Sequence, residues 1–190
     1  MSWFPLFLSL EGRDVLVVGG GPVALDKARQ LRAAGARVRV VAIAVREELR
    51  AIAHEIHERA FEERDVDGAW LVYAAAPPAV NRAVKRSADA RQKFIVSVDD
   101  VESCTAFGAA TFERGGVTVA LSSDGRAPAL VALLRRALEA VIPDEVGRWA
   151  EIAQQQRPQW KADGVAIEAR RPLLLRALLE LYPLKEAAQS

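Results

Sequence analysis

Apolar positions along this chain first follow the rhythm of a buried parallel sheet and later that of helices. Asp14–Val18 is a β-branched apolar run that stops abruptly at Gly19-Gly20-Gly21. Consecutive apolar positions of this kind predict a strand buried on both faces. Over residues 23–34, Val23, Ala24, Ala28 and Leu31 recur at helical spacing, and Gly35 follows as a helix-ending glycine. Arg37–Ala42 (RVRVVA) reads as a second strand, completing a strand–helix–strand unit whose crossover should be right-handed.

The alternation continues. A helix is predicted over residues 46–59, with Ala51, Ile52 and Ile56 among its apolar positions, and a strand over 69–75. After Pro77-Pro78 come a helix over 79–90 and a strand over 94–98. Strands alternating with helices predict an α/β domain with a doubly wound parallel sheet. Beyond residue 100 the pattern changes. Residues 105–112 and 117–122 read as two strands joined in a hairpin at Arg114-Gly115-Gly116. A Leu-rich amphipathic helix over 129–141 ends near Pro143, and residues 145–184 are helical in pattern, with breaks expected at Pro158, Gly164 and Pro172. The expected division is a first domain over 1–108, a small α+β region over 109–143 and a helical C-terminal domain over 144–190.

Composition narrows the function classes. Twenty-six basic and 25 acidic residues leave a formal charge of +1, so no strong field favours nucleic acid or an anionic membrane. One cysteine permits no internal disulfide and suits a reducing compartment, which predicts a cytoplasmic protein. Two histidines and one cysteine cannot assemble a Cys/His zinc site. The apolar stretch from Trp3 to Leu10 is too short to span a bilayer and lacks the basic flank of a signal peptide.

Gly19-Gly20-Gly21-Pro22-Val23-Ala24 fits G-x-G-x-x-A, the dinucleotide-binding variant of the glycine fingerprint. Gly19 permits the tight turn, Gly21 lets the backbone approach a pyrophosphate, and Ala24 allows close helix–strand packing. The anion would rest on the N–H groups at the helix N-terminus. A strand before the glycines, a helix after them and a second strand in register raise this above a plain turn, and they make the predicted fold Rossmann-like. No Gly-Lys-Ser/Thr follows, so it is not a P-loop. The acid that usually grips the adenosine ribose is missing: Ala42-Ile43-Ala44 stands where it should fall. The pattern therefore leaves NAD and NADP open, with Arg39 and Arg46 as candidate phosphate partners.

Asp99-Asp100 follows the strand over 94–98, at the sheet end where open α/β folds bind ligands. Paired carboxylates there suit acid–base work, and equally suit a turn or cap. Ser122-Ser123-Asp124-Gly125-Arg126-Ala127-Pro128 precedes the Leu-rich helix. Its hydroxyls and arginine could hold carboxylates of an acidic substrate, or it could be a helix start capped by Ser or Asp. His54 and His57 read as a solvated helix face, and Cys104 as a small, partly buried side chain.

Taken together, Phe4-Pro5-Leu6-Phe7, the run from Val15 to Ala24, Lys27-Ala28, residues 33–36, Val98-Asp99-Asp100, Cys104-Thr105-Ala106-Phe107 and residues 122–128 resemble the precorrin-2 dehydrogenase family, which includes the N-terminal module of siroheme synthase. The resemblance covers about the first 143 residues. It implies an NAD-binding Rossmann domain, a dimerisation region over 109–143 that interleaves with a second copy, and a helical C-terminal domain. It implies oxidation of precorrin-2, a tetrapyrrole, to sirohydrochlorin with hydride passing to NAD⁺, and in some members iron insertion as well. On that resemblance Asp100 is the catalytic carboxylate, Ser123 and Arg126 help seat the substrate, and Pro22, Val23, Ile43 and Ala44 contact the cofactor, partly through backbone. The methyltransferase module of fused siroheme synthases has no counterpart here, so synthesis of precorrin-2 itself is not expected. A different class, a non-catalytic NAD(H)-binding redox sensor, fits the glycine loop equally. A potassium-uptake type nucleotide-sensing module leaves residues 122–128 and the helical tail unexplained.

Overall fold

The structure, a computed structural model, describes residues 3–98, 104–179 and 181. It separates into two compact units, residues 1–108 and 109–190.

In the first unit, five strands form one parallel sheet: β1 (Asp14–Val18), β2 (Arg37–Ala42), β3 (Glu55–Glu58), β4 (Leu71–Ala74) and β5 (Phe94–Ser97). Their spatial order is β3-β2-β1-β4-β5. The chain thus runs outward from β1 to β3, crosses back and continues through β4 to β5. That reversal leaves a crevice at the carboxyl ends of β1 and β4, where ligands bind in such sheets.

Side chains of β1 alternate between two cores, which explains its unbroken apolar sequence. Val15 and Val17 pack with Ala24, Leu25, Ala28 and Leu31 of α1 (Pro22–Ala33). Leu16 and Val18 pack on the opposite face with Val84 and Ala88 of α3 (Pro78–Ala90). The four residues Val15 to Val18 are at most 2% exposed. Burying each such side chain contributes about 1.5–3 kcal/mol relative to leaving it in water.

The expected helix over 46–59 is only partly present. A single turn, α2 (Glu47–Arg50), is followed by the edge strand β3. Ile56 fits helical spacing, but Glu55-Ile56-His57-Glu58 can pair with the open edge of β2, with Arg39 opposite Glu55 and Ala42 opposite Glu58. Backbone pairing prevails there over local helix propensity. His54 precedes this strand and its Nδ1 accepts the Val38 N–H at 3.1 Å, so it braces β2 rather than lining a helix face.

The second unit holds a β-hairpin, β6 (Ala110–Arg114) and β7 (Val117–Leu121), with α4 (Pro128–Val141), α5 (Val146–Ala162) and α6 (Ile167–Leu179). The first hairpin strand begins later than the expected residue 105, because Thr105 and Ala106 donate their N–H groups to the Ile95 carbonyl instead. Gly115, at φ +55°, turns the hairpin and lies against Gly147, where a Cβ would collide with the Gly147 backbone. Of the three expected breaks only Gly164 separates helices. Pro158 lies inside α5 and Pro172 inside α6. Each removes one backbone donor without ending its helix.

Candidate dinucleotide site

The glycine loop leaves β1 and enters α1 over three residues with distinct constraints. Gly19 has φ +132°, and its missing Cβ would strike the Ala75 carbonyl after β4. Gly20 carries a constraint that the fingerprint does not assign. Its Cβ position is occupied by the Ala44 carbonyl oxygen, and Val45 Cα lies 3.0 Å away. Gly21 is different. Nothing lies within 4 Å of its Cβ position, and its backbone is extended at φ −85° and ψ −171°. Two glycines are required by the protein itself, and the third faces open space.

Gly21 is the N-cap of α1, with Pro22 at the first helical position and no side chain capping the helix. Proline has no N–H to leave unsatisfied, so the N–H groups of Val23 and Ala24 are the donors available at this end. Ala24 is fully buried against the sheet, whereas Val23 is exposed. A helix start with free donors, a positive dipole end and no acidic residue in its first turn suits an anion.

A cleft of about 430 Å³ opens at this point, lined by residues 18–21, 41–44, 59–61, 75–77 and Val80. Gly19, Gly21, Ile43 and Ala44 of the expected cofactor set line it, while Pro22, Val23 and Ala24 form the adjoining helix start. Ile43 is 81% exposed at the end of β2, where an apolar base face could rest. The open space beside Gly21 and the donors of α1 fit a pyrophosphate, so the cleft suits a dinucleotide.

Neither expected phosphate arginine is free in the cleft. Arg39 donates to the carbonyls of Asp65 and Asp67 at 2.6 and 2.9 Å. Arg46 pairs with Glu48 at 3.3 Å. The cation that does line the cleft, Arg59, was not singled out by the sequence. It follows β3, an element that the apolar pattern had absorbed into a helix. Arg59 makes a bidentate pair with Asp65, at 2.9 and 2.6 Å. Burial pushes the Asp65 carboxyl up, but hydrogen bonds from Arg59 and the Glu62 N–H outweigh it and hold the group below the usual carboxylate range. The same hydrogen bond raises the Arg59 guanidinium above its ordinary value.

Asp99 and Asp100 lie outside the described residues. Val98, just before them, donates its N–H to the Ala74 carbonyl at 3.0 Å, so the chain is still paired at the carboxyl end of β4 when it reaches them. Cys104 Sγ accepts the Ser97 N–H at 3.1 Å, tying the returning segment to β5.

In the second unit, Ser123 Oγ accepts the Ala127 N–H at 2.9 Å, and Asp124 and Gly125 adopt φ +55° and +75°. Ala127, not Ser or Asp, occupies the N-cap of α4. The serines instead fold the loop before it: Ser122 Oγ accepts the Asp124 N–H at 2.9 Å. Arg126 is exposed and contacts Asp124 at 3.1 Å. Among the described residues no group of three or more His, Cys, Asp or Glu side chains could hold a metal, and no helix is long and apolar enough to cross a membrane.

Comparison with known proteins agrees with this geometry. A siroheme synthase of Zymomonas mobilis is 37% identical over 99% of this chain and 41% of its own length. Siroheme synthase 1 of Cronobacter sakazakii is 44% identical over 80% of this chain and 34% of its own. The chain therefore spans about two fifths or less of these relatives. A solved structure titled SirC, precorrin-2 dehydrogenase, superposes with a TM-score of 0.72 at 24% identity, covering 92% of this chain and 88% of that one. This likeness bears out the Rossmann-like fold. A family model described as "Putative NAD(P)-binding" matches residues 6–110, more than half of the chain. The cofactor expectation, NAD, agrees with that description, and the chain belongs to this NAD(P)-binding family.

Proposed function

We propose that the chain is an NAD-dependent precorrin-2 dehydrogenase that forms sirohydrochlorin in siroheme biosynthesis. The observation that carries this is the cleft itself: open space beside Gly21, unsatisfied donors at the start of α1, and the sheet reversal between β1 and β4. The siroheme synthase relatives, alignable over nearly the whole chain, supply the substrate class.

Oxidation removes a hydride and a proton from the tetrapyrrole. NAD⁺, when bound, accepts the hydride. The chain's own work is orientation and proton handling. The helix start and glycine loop fix the pyrophosphate, and with it the direction in which the dinucleotide crosses the sheet. Asp100, three positions after the end of β5 in sequence, takes the proton and releases it to solvent. Ser123 and Arg126 hold substrate carboxylates, with the left-handed turn at Asp124 and Gly125 presenting them.

The same reading includes a cytoplasmic homodimer with residues 109–143 as its contact region. On α4, Leu130, Leu133, Leu134 and Val141 are 52%, 65%, 46% and 77% exposed. Leaving those side chains in water forgoes several kcal/mol of burial, which a second copy supplies.

The test is an anaerobic assay with precorrin-2 and NAD⁺, following sirohydrochlorin absorbance and NADH together. Equimolar formation of the two supports dehydrogenation. Binding of NAD⁺ without turnover would leave the redox-sensor reading in its place.

A further inference from the structure

β2 and β3 run parallel with Ala42 opposite Glu58. Arg59, one residue past β3, therefore stands beside Ile43, one residue past β2, and both line the cleft. This side of a Rossmann-like sheet receives the adenosine ribose. A carboxylate after the second strand selects the 2′-hydroxyl of NAD, or an arginine nearby accepts the 2′-phosphate of NADP. Here the carboxylate is absent and an arginine is present, which by itself would favour NADP.

That arginine is already occupied. Asp65, 6% exposed, takes both ends of the guanidinium fork, at 2.6 and 2.9 Å. Asp65 is itself fixed by the Glu62 N–H at 2.8 Å. Arg59 also donates to the Ala60 carbonyl at 2.9 Å, and Glu62 adds a second carboxylate 3.9 Å away. The other cations along this edge are paired too, Arg50 with Glu58 at 2.6 Å and Arg46 with Glu48 at 3.3 Å. The fork of planar N–H donors that suits a phosphate is therefore spent on a buried carboxylate.

We infer that the Arg59–Asp65 pair sets cofactor preference: Asp65 occupies the place on Arg59 that a 2′-phosphate would take, so the site selects NAD over NADP. The guanidinium side chain, one third exposed, keeps its planar face for the adenosine end. The inference rests on the dinucleotide reading of the cleft and adds to it a residue pair that decides between the two nucleotides.

Calorimetric titration of the full chain with NAD⁺ and NADP⁺ tests it. The unmodified chain should bind NAD⁺ more tightly. Asp65→Asn keeps a hydrogen-bonding neighbour but frees the charge of Arg59. NADP⁺ should then tighten roughly ten- to a hundredfold, the effect of a charge-assisted hydrogen bond, while NAD⁺ changes only a few-fold. If Asp65→Asn does not fold, the double variant Arg59→Gln/Asp65→Asn removes both charges together. It should lose NAD⁺ affinity several-fold without gaining NADP⁺. An unchanged NAD⁺/NADP⁺ ratio in a folded Asp65→Asn overturns the inference, as does a double variant with unaltered NAD⁺ affinity. An unmodified chain that prefers NADP⁺ also overturns it, while one that binds neither nucleotide overturns the dinucleotide reading beneath it.

Discussion

Gly21→Asp should weaken cofactor binding while making the protein slightly more stable. The backbone at Gly21 is extended, so an L residue fits without strain, and no atom lies within 4 Å of the new Cβ. The position is the N-cap of α1, which has no capping side chain and no acid in its first turn. An aspartate there can accept the N–H of Val23 or Ala24 and meets the positive end of the helix dipole. The two effects together contribute a few tenths to about 1 kcal/mol. For a chain of this size that corresponds to a rise in melting temperature of no more than about 4 °C. The same carboxylate would stand where the pyrophosphate approaches. Two like charges 4 Å apart repel by about 1 kcal/mol in water and about 4 kcal/mol at an effective dielectric constant of 20. Affinity should therefore fall about fivefold to a thousandfold, before counting the N–H donors that the aspartate removes. Calorimetry with NAD⁺ and a thermal melt on the same sample read both arms. Unchanged affinity would mean that the pyrophosphate does not pass Gly21, and a clearly lowered melting temperature would mean that the space beside it is not open.

Gly20→Ala should do the reverse and destabilise the fold, because its methyl meets the Ala44 carbonyl. A cost of about 1–3 kcal/mol is expected as a lowered thermal midpoint without ligand, and an unaltered midpoint would contradict the close approach. Asp100→Asn should slow precorrin-2 oxidation by roughly 10²–10⁴-fold at saturating NAD⁺. Asp99→Asn should slow it far less, because the proton is assigned to Asp100 and not to its neighbour. Loss in Asp99→Asn alone would move the role to that neighbour. Light scattering should find a homodimer at micromolar concentration and a shift towards monomer in Leu133→Glu, whereas a folded monomer of the unmodified chain would remove α4 as a subunit contact.

Most of the sheet was legible because β1 runs apolar and buried from Val15 to Val18, and β2 keeps Val38, Val40 and Val41 buried around Arg39. α1 was equally clear, bounded by glycines at 21 and 35. β3 was not legible, because a four-residue edge strand with two glutamates has neither a continuous apolar run nor a strong alternation. Only pairing with β2 makes it a strand. That miss hid Arg59, whose importance comes from topology: it is 16 positions from Ile43 in sequence, yet it sits beside it once β3 lies against β2. Its partner Asp65 lies in the short 3₁₀ turn Glu63–Val66, with no sequence signature linking the two. The prolines misled in the opposite direction. Pro158 and Pro172 remain inside α5 and α6, since losing one intrahelical bond does not end a helix whose neighbouring turns remain intact.

The contact between Gly20 and Ala44 ties two pieces of chain into one mechanical part. The Gly20 carbonyl also accepts the Arg46 N–H at 3.3 Å, and Gly19 donates to the Val41 carbonyl at 2.9 Å. The turn that receives the phosphates and the segment that meets the ribose therefore cannot be redesigned separately. Point substitutions at the exposed Ile43 alter only what the cleft presents. Grafting a β2–α2 connection of another length would displace the carbonyl at position 44 and carry the glycine turn with it. For anyone altering this protein's cofactor use, side-chain exchange is open and loop exchange is closed.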